Sequence, residues 1–167
     1  IAQCLVGSEM CKETDTYLSK EDLCSITLES FIDELPAKRQ QEYRDLLSGN
    51  ENDLAYSDAT VFRQGSCELF ALALRQEFGY SAYELSEGSS VHYFCKESVD
   101  NKLYYVDIRG ITTDFNIFNR TSYSSFSKDS STVCIIEKLS PKEGIHMLGL
   151  YFAKWIIAKN RHLYEII

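Results

Sequence analysis

The sequence predicts an α+β fold in which an antiparallel β-sheet packs on a central helix, with further helices flanking this core at both ends of the chain. Three observations predict it. Apolar residues follow a helical period in 67–78, aromatic and β-branched residues concentrate in short segments within 80–108, and helical spacing recurs near both termini. With 167 residues, of which 44% are apolar, the chain is long enough for one hydrophobic core and short for two.

The N-terminal region is predicted to contain two helices. Ser19 has an acid three residues on, which is the pattern of a capping box, and apolar residues then recur at roughly helical spacing as far as Leu35. Pro36 suits the first position of a second helix, and Gly49 is placed to end it. The polar stretch 48–57 is expected to be a loop.

The clearest helix prediction covers Cys67 to Phe78. Its apolar residues fall on one helical face, at i, i+3, i+4, i+7 and i+11: Cys67, Phe70, Ala71, Leu74 and Phe78. Gly79 follows as a C-terminal cap. Because Gly65 and Ser66 precede the helix, Cys67 is expected at or next to its N-terminus.

The segments that follow this helix predict a sheet. The stretches 80–85, 91–96 and 103–108 are typical of an antiparallel meander. Residues 112–131 are rich in Ser, Thr and Asn and are expected to form an irregular surface segment, and 132–137 is expected to be another strand.

A long C-terminal helix is predicted from residue 140 onwards. The run Ser140-Pro141-Lys142-Glu143 combines a capping box with proline at the first helical position, and apolar residues then continue at helical spacing. We therefore expect one α+β domain, 1–167, made of a helical part (1–60), a core (61–139) and the C-terminal helix (140–167).

The charge and the apolar pattern restrict the partners. A formal net charge of −8 disfavours nucleic-acid binding, which depends on Lys and Arg at phosphates. No apolar run approaches the roughly 20 residues that span a bilayer, so we expect no membrane span and a soluble protein. The chain begins with Ile1 rather than Met, so we expect it to be part of something longer. A basic or neutral partner, such as a cognate protein, fits this charge better than a nucleic acid does.

The cysteine pattern favours free thiols over disulfides or zinc. The six cysteines include no CxxC pair and no cluster with histidine at zinc-ligand spacing: Cys4, Cys11, Cys24, Cys67, Cys95 and Cys134. We therefore expect no metal and no cofactor. A disulfide-bonded secreted domain stays an alternative, because an even number of cysteines permits it.

Cys67 is the candidate nucleophile. A cysteine attacks as its thiolate, and the N-terminus of a helix favours an anion through its unpaired N–H groups and the helix dipole. The N–H groups of the same helical turn, that of Cys67 included, are natural donors to an oxyanion. Gln64, three residues earlier, is the best side-chain candidate for a second oxyanion donor.

His92 is the candidate base and Asp107 its orienting acid. Of the three histidines, only His92 lies on a predicted core strand, since His146 and His162 belong to the predicted C-terminal helix. If 91–96 and 103–108 pair so that the numbers of facing residues sum to 199, Asp107 lies opposite His92, with Cβ atoms roughly 5 Å apart. An acid in an apolar strand needs a partner. Arg109 is the alternative partner for Asp107.

These residues resemble a known superfamily. Gln64-Gly65-Ser66-Cys67 opening a helix, followed by His92 on one strand and Asp107 on another, is similar to the chain order of papain-like and transglutaminase-like thiol enzymes. The resemblance covers about 45 residues. It implies a Cys-His-Asp triad and places the chain near transglutaminases, arylamine N-acetyltransferases and the bacterial effectors and toxins that include proteases and glutamine deamidases. It also implies a protein or peptide substrate, and a protein that is in the bacterial cytoplasm, secreted or delivered into a target cell.

The sequence therefore predicts an amide hydrolase, a cysteine protease or a protein glutamine deamidase, that works through a thioester on Cys67. Transfer of the acyl group to an amine is the same chemistry. The rival interpretation is a non-catalytic acidic binding protein, such as an immunity or adaptor protein, in which Cys67 is an ordinary buried residue.

Overall fold

The computed structural model describes residues 17–49, 57–63, 65–120, 131–134 and 144–167, and of 131–134 it describes the backbone. The α-helices are, in chain order, α1 (Lys20–Ser25), α2 (Leu28–Asp33), α3 (Ala37–Ser48), α4 (Cys67–Phe78), α5 (Phe115–Asn119) and α6 (Ile145–Lys159). The strands are β1 (Ser81–Glu87), β2 (Ser90–Val99), β3 (Lys102–Asp107), β4 (Gly110–Thr112) and β5 (Ser131–Cys134). Two single 3₁₀ turns, Ala59–Phe62 and Arg161–Leu163, complete the described elements.

The five strands form one sheet in the order β4-β3-β2-β1-β5, with every neighbouring pair antiparallel. The chain is therefore α+β, as predicted. The three predicted core strands are present as β1, β2 and β3. The strand predicted at 132–137 is present as β5, and 135–137 lie outside the described residues.

The register between β2 and β3 differs from the predicted one. Val99 pairs with Lys102, so facing numbers sum to 201 instead of 199. The hairpin turn has only two residues, Asp100 and Asn101, whose φ angles of 50° and 62° suit a type I′ turn, which matches the twist of the strands. A shift of two residues preserves which face each side chain occupies. His92 and Asp107 therefore share a face as diagonal neighbours rather than as a direct pair.

The central helix α4 has the predicted bounds. Gly79 ends it in the left-handed region, at φ 77°, where a residue with a Cβ is strained. The N-terminal helix prediction is partly wrong, because the chain breaks after α1 and Thr27 caps α2 through a bond from the Ser30 N–H. Thr27 also forms an isolated antiparallel β-bridge with Asp58. The backbone of Thr27 is therefore extended and interrupts the helix.

Two further predictions need correction. The segment predicted as irregular, 112–131, contains α5, which Asp114 caps by accepting from the Asn116 N–H, while 121–130 lie outside the described residues. The C-terminal helix begins at Ile145 and not near residue 140, because Gly144 has φ 76° and cannot belong to a helix. The predicted capping box at 140–143 lies outside the described residues.

The sheet buries apolar side chains on both faces. On one face, α4 lies between the sheet and α6. The apolar core on this face includes Phe70, Cys95 and Phe152. On the other face a smaller cluster centres on Phe94 and Phe118, the latter supplied by α5. The larger core contains residues from all three predicted parts of the chain, as a single domain requires. The single domain itself stays a prediction. Among the described helices, none combines the length and apolar character needed to cross a bilayer.

Candidate functional site

Cys67 lies where α4 meets the sheet. It is the first residue of the helix, after Ser66, whose φ of −126° and ψ of 28° are not helical. Within the described residues, the pairing of β2 with β3 ends at Cys95 and Val106. Beyond that point the Tyr93 N–H donates to the Cys67 sulphur, at 3.4 Å. The sulphur therefore occupies the gap where the two strands part, and Cys67 is only 6% exposed.

His92 joins the cysteine to the acid. Its Nε2–H donates to Oδ2 of Asp107 at 3.0 Å, and its ring also hydrogen-bonds the Cys67 side chain. Since Nε2 is used by Asp107, Nδ1 is the nitrogen left for the sulphur. The ring is 3% exposed and lies against two aromatic rings, parallel to Phe94 with centroids 6.3 Å apart and 5.8 Å from Phe118.

The surroundings of His92 favour its protonated form. Burial is the largest single influence and lowers the pKa of the imidazole, but the hydrogen bonds and charges of Asp107 and Cys67 outweigh it and raise the pKa from 6.5 to about 9. An imidazolium held between a sulphur and a carboxylate at neutral pH is the form that gives a proton to a leaving group.

Asp107 is shared between His92 and Arg109. Its Oδ1 accepts from the backbone N–H of Arg109 at 2.8 Å and from Nε at 3.1 Å, and its Oδ2 accepts from Nη2 at 2.5 Å in addition to His92. Burial acts to raise the pKa of this carboxyl, but the Arg109 charge and the hydrogen bonds of His92 and Arg109 hold it well below its usual range. Arg109, the alternative partner predicted from the sequence, therefore binds Asp107 together with His92.

On the face of β2 opposite His92, Tyr93 lies among two carboxylates and the Cys67 sulphur. Burial, a hydrogen bond with Glu84 and the charges of Cys67 and Glu68 raise the pKa of Tyr93 to about 12. Burial also raises the pKa of Glu68, which follows the cysteine on α4, against the opposing charge of His146.

The remaining candidates are placed as follows. Gln64, the predicted side-chain oxyanion donor, lies outside the described residues. Cys95 points to the other face of β2 from His92, as predicted, where its thiol donates to the Ala71 carbonyl at 3.4 Å and burial raises its pKa. Cys24, Cys67 and Cys95 are free thiols, as predicted. Cys4 and Cys11 lie outside the described residues, as does the side chain of Cys134.

The other two histidines are on neither the helix nor the strands that carry Cys67, His92 and Asp107. His146 is in the first turn of α6, and His162 is in the following 3₁₀ turn rather than in the long helix. No group of three or more His, Cys, Asp or Glu side chains suited to a metal ion occurs in the described part of the chain.

Phe118 is the site residue that sequence reasoning missed. It is fully buried, and its ring lies 4.6 Å from that of Phe94 and 5.8 Å from that of His92. The signal that was available is Asp114, a residue type that favours helix caps, just before the apolar pair Phe115 and Phe118 at i, i+3 spacing.

The arrangement has the parts of a nucleophilic site: a thiol at a helix start, an imidazole bonded to it and a buried carboxylate bonded to the imidazole. Comparisons with protein-family models, curated proteins and solved structures give no match for this chain.

Proposed function

We propose that the chain is a cysteine-dependent acyl-transfer enzyme that hydrolyses an amide through a thioester on Cys67. One observation carries this proposal. Cys67 at the start of α4 contacts His92, whose other ring nitrogen donates to the buried carboxylate of Asp107 at 3.0 Å. A purely structural histidine needs only partners for its buried nitrogens, whereas a general base for a thiol contacts the thiol and is oriented by a further group at its other nitrogen.

The reaction divides into two halves. The Cys67 sulphur attacks the carbonyl carbon of the amide while its own proton resides on His92, and the resulting oxyanion accepts from N–H groups of the first turn of α4, that of Cys67 among them. His92 then gives this proton to the amide nitrogen, the carbon–nitrogen bond breaks and the amine leaves. Water attacks the thioester and passes a proton to His92, the carbon–sulphur bond breaks, and the carboxylic acid leaves.

The proposed architecture is that of papain-like and transglutaminase-like enzymes. The support is the order of the elements: Cys67 begins a helix that packs on the sheet, His92 follows on β2, and Asp107 ends the next strand β3. The substrate proposed is a protein or peptide amide, in a peptide bond or in a glutamine side chain. An amine that replaces water in the second half gives transfer instead of hydrolysis.

The test is the rate at which iodoacetamide labels each cysteine of the native protein from about pH 5 to about pH 9, with mass spectrometry locating the label. Cys24, an exposed free thiol, is the internal reference for an ordinary cysteine. We expect Cys67 to label faster than Cys24 at the acidic end, despite its burial, and to lose this advantage in His92→Asn.

The rival function is a binding protein without catalysis, and one observation favours it: Cys67 and His92 are only 6% and 3% exposed. In such a protein the net charge of −8 would attract a basic partner. It predicts that Cys67 labels only when the protein unfolds, while Cys24 labels at its ordinary rate. That result would reject the enzyme.

A further inference from the structure

The buried cation Arg109 binds the carboxylate of Asp107 through three donor groups. Within the residues that the structure describes, Asp107 receives the Arg109 backbone N–H and two guanidinium nitrogens, Nε and Nη2, but only one donor from His92. A guanidinium that spans both carboxylate oxygens fixes the plane of the carboxylate as well as its position. A single bond from His92 leaves that plane free to turn.

Arg109 is itself fixed by groups outside the triad. Its Nη1 donates to the carbonyl of Arg120 at 2.8 Å, and its Nη2 donates to the carbonyl of Phe118 at 2.7 Å. Its guanidinium also lies over the ring of Tyr17, 4.6 Å from the centroid. The C-terminal end of α5 is thereby linked through one side chain to the carboxylate, and Arg109 is 3% exposed.

We propose that Arg109 is a positioning residue for the Cys67 reaction, which fixes the Asp107 carboxylate in the orientation that receives His92. This inference rests on the proposed function of the triad. Lysine at the same place keeps the charge but lacks the planar fork, because its ammonium cannot span two oxygens and donate to carbonyls in fixed directions. Arg109→Lys therefore separates orientation from charge.

The charged and titratable groups around His92 come from several elements. Cys67 faces it from α4 and Asp107 from β3, with Arg109 behind Asp107. Tyr164, near the C-terminal end of the chain, faces Asp107, and Tyr17 faces Arg109. Arg109→Lys changes neither the sign nor the number of these charges.

The first experiment compares Cys67 labelling rates in the native protein, Arg109→Lys and Arg44→Lys. Arg44 is the matched control, because it binds the carboxylates of Glu29 and Asp33 at 2.7 Å on the surface, away from the triad. We expect Arg109→Lys to slow Cys67 about tenfold at constant pH, and Arg44→Lys to leave the rate within about twofold.

A double-mutant cycle separates action through Asp107 from support of α5. In the Asp107→Asn background there is no carboxylate to orient, so Arg109→Lys is expected to slow Cys67 by less than about twofold. An equal loss in both backgrounds would mean that Arg109 only supports α5, and no loss in either would mean that it has no role. Either result overturns the inference.

A measurement that does not need a reactive cysteine completes the test. The proton that His92 Nε2 shares with Asp107 is expected as a downfield NMR signal, unchanged in Arg44→Lys and displaced or broadened in Arg109→Lys. An unchanged signal in Arg109→Lys overturns the positioning role. If Cys67 of the native protein is inert but the signal is displaced, the proposed function fails, and what stands is only that Arg109 orients the Asp107 carboxylate toward His92.

Discussion

Replacing Asp107 by asparagine tests how far the fold depends on the buried network. The substitution keeps the shape of the side chain and removes its negative charge. Asp107 is 2% exposed and accepts from His92 and from three groups of Arg109. An asparagine presents one oxygen as acceptor and directs an NH₂ group, itself a donor, at one of these donors. Arg109 then stays buried without the carboxylate charge that binds it in the described part of the chain.

The expected loss of stability follows from this burial. Breaking a buried ion pair by removing one partner costs about 3–5 kcal/mol. Arg109 keeps the carbonyls of Phe118 and Arg120 as acceptors, so we expect the lower end, about 3 kcal/mol. The matched control is Asp33→Asn, which removes the same type of charge from an ion pair with Arg44 in which the Asp33 side chain is 62% exposed. Its effect should lie within the error of the measurement.

The assay is urea unfolding at neutral pH, followed by far-ultraviolet circular dichroism, with the slope of the transition checked for each variant. A loss of less than about 1 kcal/mol in Asp107→Asn, or a loss equal to that of Asp33→Asn, would refute the argument that burial makes this pair costly to break.

Three further predictions concern the same network. The stability that the lowered pKa of Asp107 provides is present above its unfolded value of 3.8 and is lost as pH falls below it, so acid should shift the urea midpoint more in the native protein than in Asp107→Asn. The ring signals of His92, assigned by their absence in His92→Asn, should titrate at about pH 9 in an NMR titration, and a midpoint at or below 6.5 would contradict its bonds to Asp107 and Cys67. Phe118→Ala should lower the free energy of unfolding by about 3–5 kcal/mol and slow Cys67 labelling, whereas a loss under about 1 kcal/mol would mean that the rings around His92 do not depend on it.

The sequence alone was sufficient to predict α4. Its apolar period, Ser66 before it and Gly79 after it all indicate the same bounds, and local chemistry determines such bounds. The contacts among Cys67, His92 and Asp107 were predictable because each residue is unusual in its local surroundings: a cysteine at a helix start, and a histidine and an acid on apolar strands.

The apolar pattern could not predict the register of β2 and β3. The pattern of apolar residues fixes which face a side chain occupies, but it does not distinguish registers that differ by two residues. The turn at Asp100 and Asn101 decides between them, because both residues adopt positive φ. Asn and Asp tolerate that region better than most residues, so this dipeptide was the signal available.

The contacts of Arg109 could also be predicted only in part. From the sequence, an arginine two residues after Asp107 competes with His92 for the same carboxylate. The fold lets both bind, because Arg109 approaches both oxygens while His92 reaches Oδ2 from β2. The acceptors that fix the guanidinium come from the end of α5, within a segment whose polar composition predicted no helix.

The central claim is that Cys67 forms a thioester with His92 as its base, and an acyl donor tests it most directly. The native protein is incubated with p-nitrophenyl acetate, the release of nitrophenolate is followed, and peptide mapping locates the acetyl group. We predict a burst of nitrophenolate with acetyl on Cys67, unchanged in Cys24→Ser, absent in Cys67→Ser and strongly slowed in His92→Asn. Acetyl found on the exposed Cys24 with none on Cys67, or on Cys67 at the same rate in His92→Asn, would contradict the account.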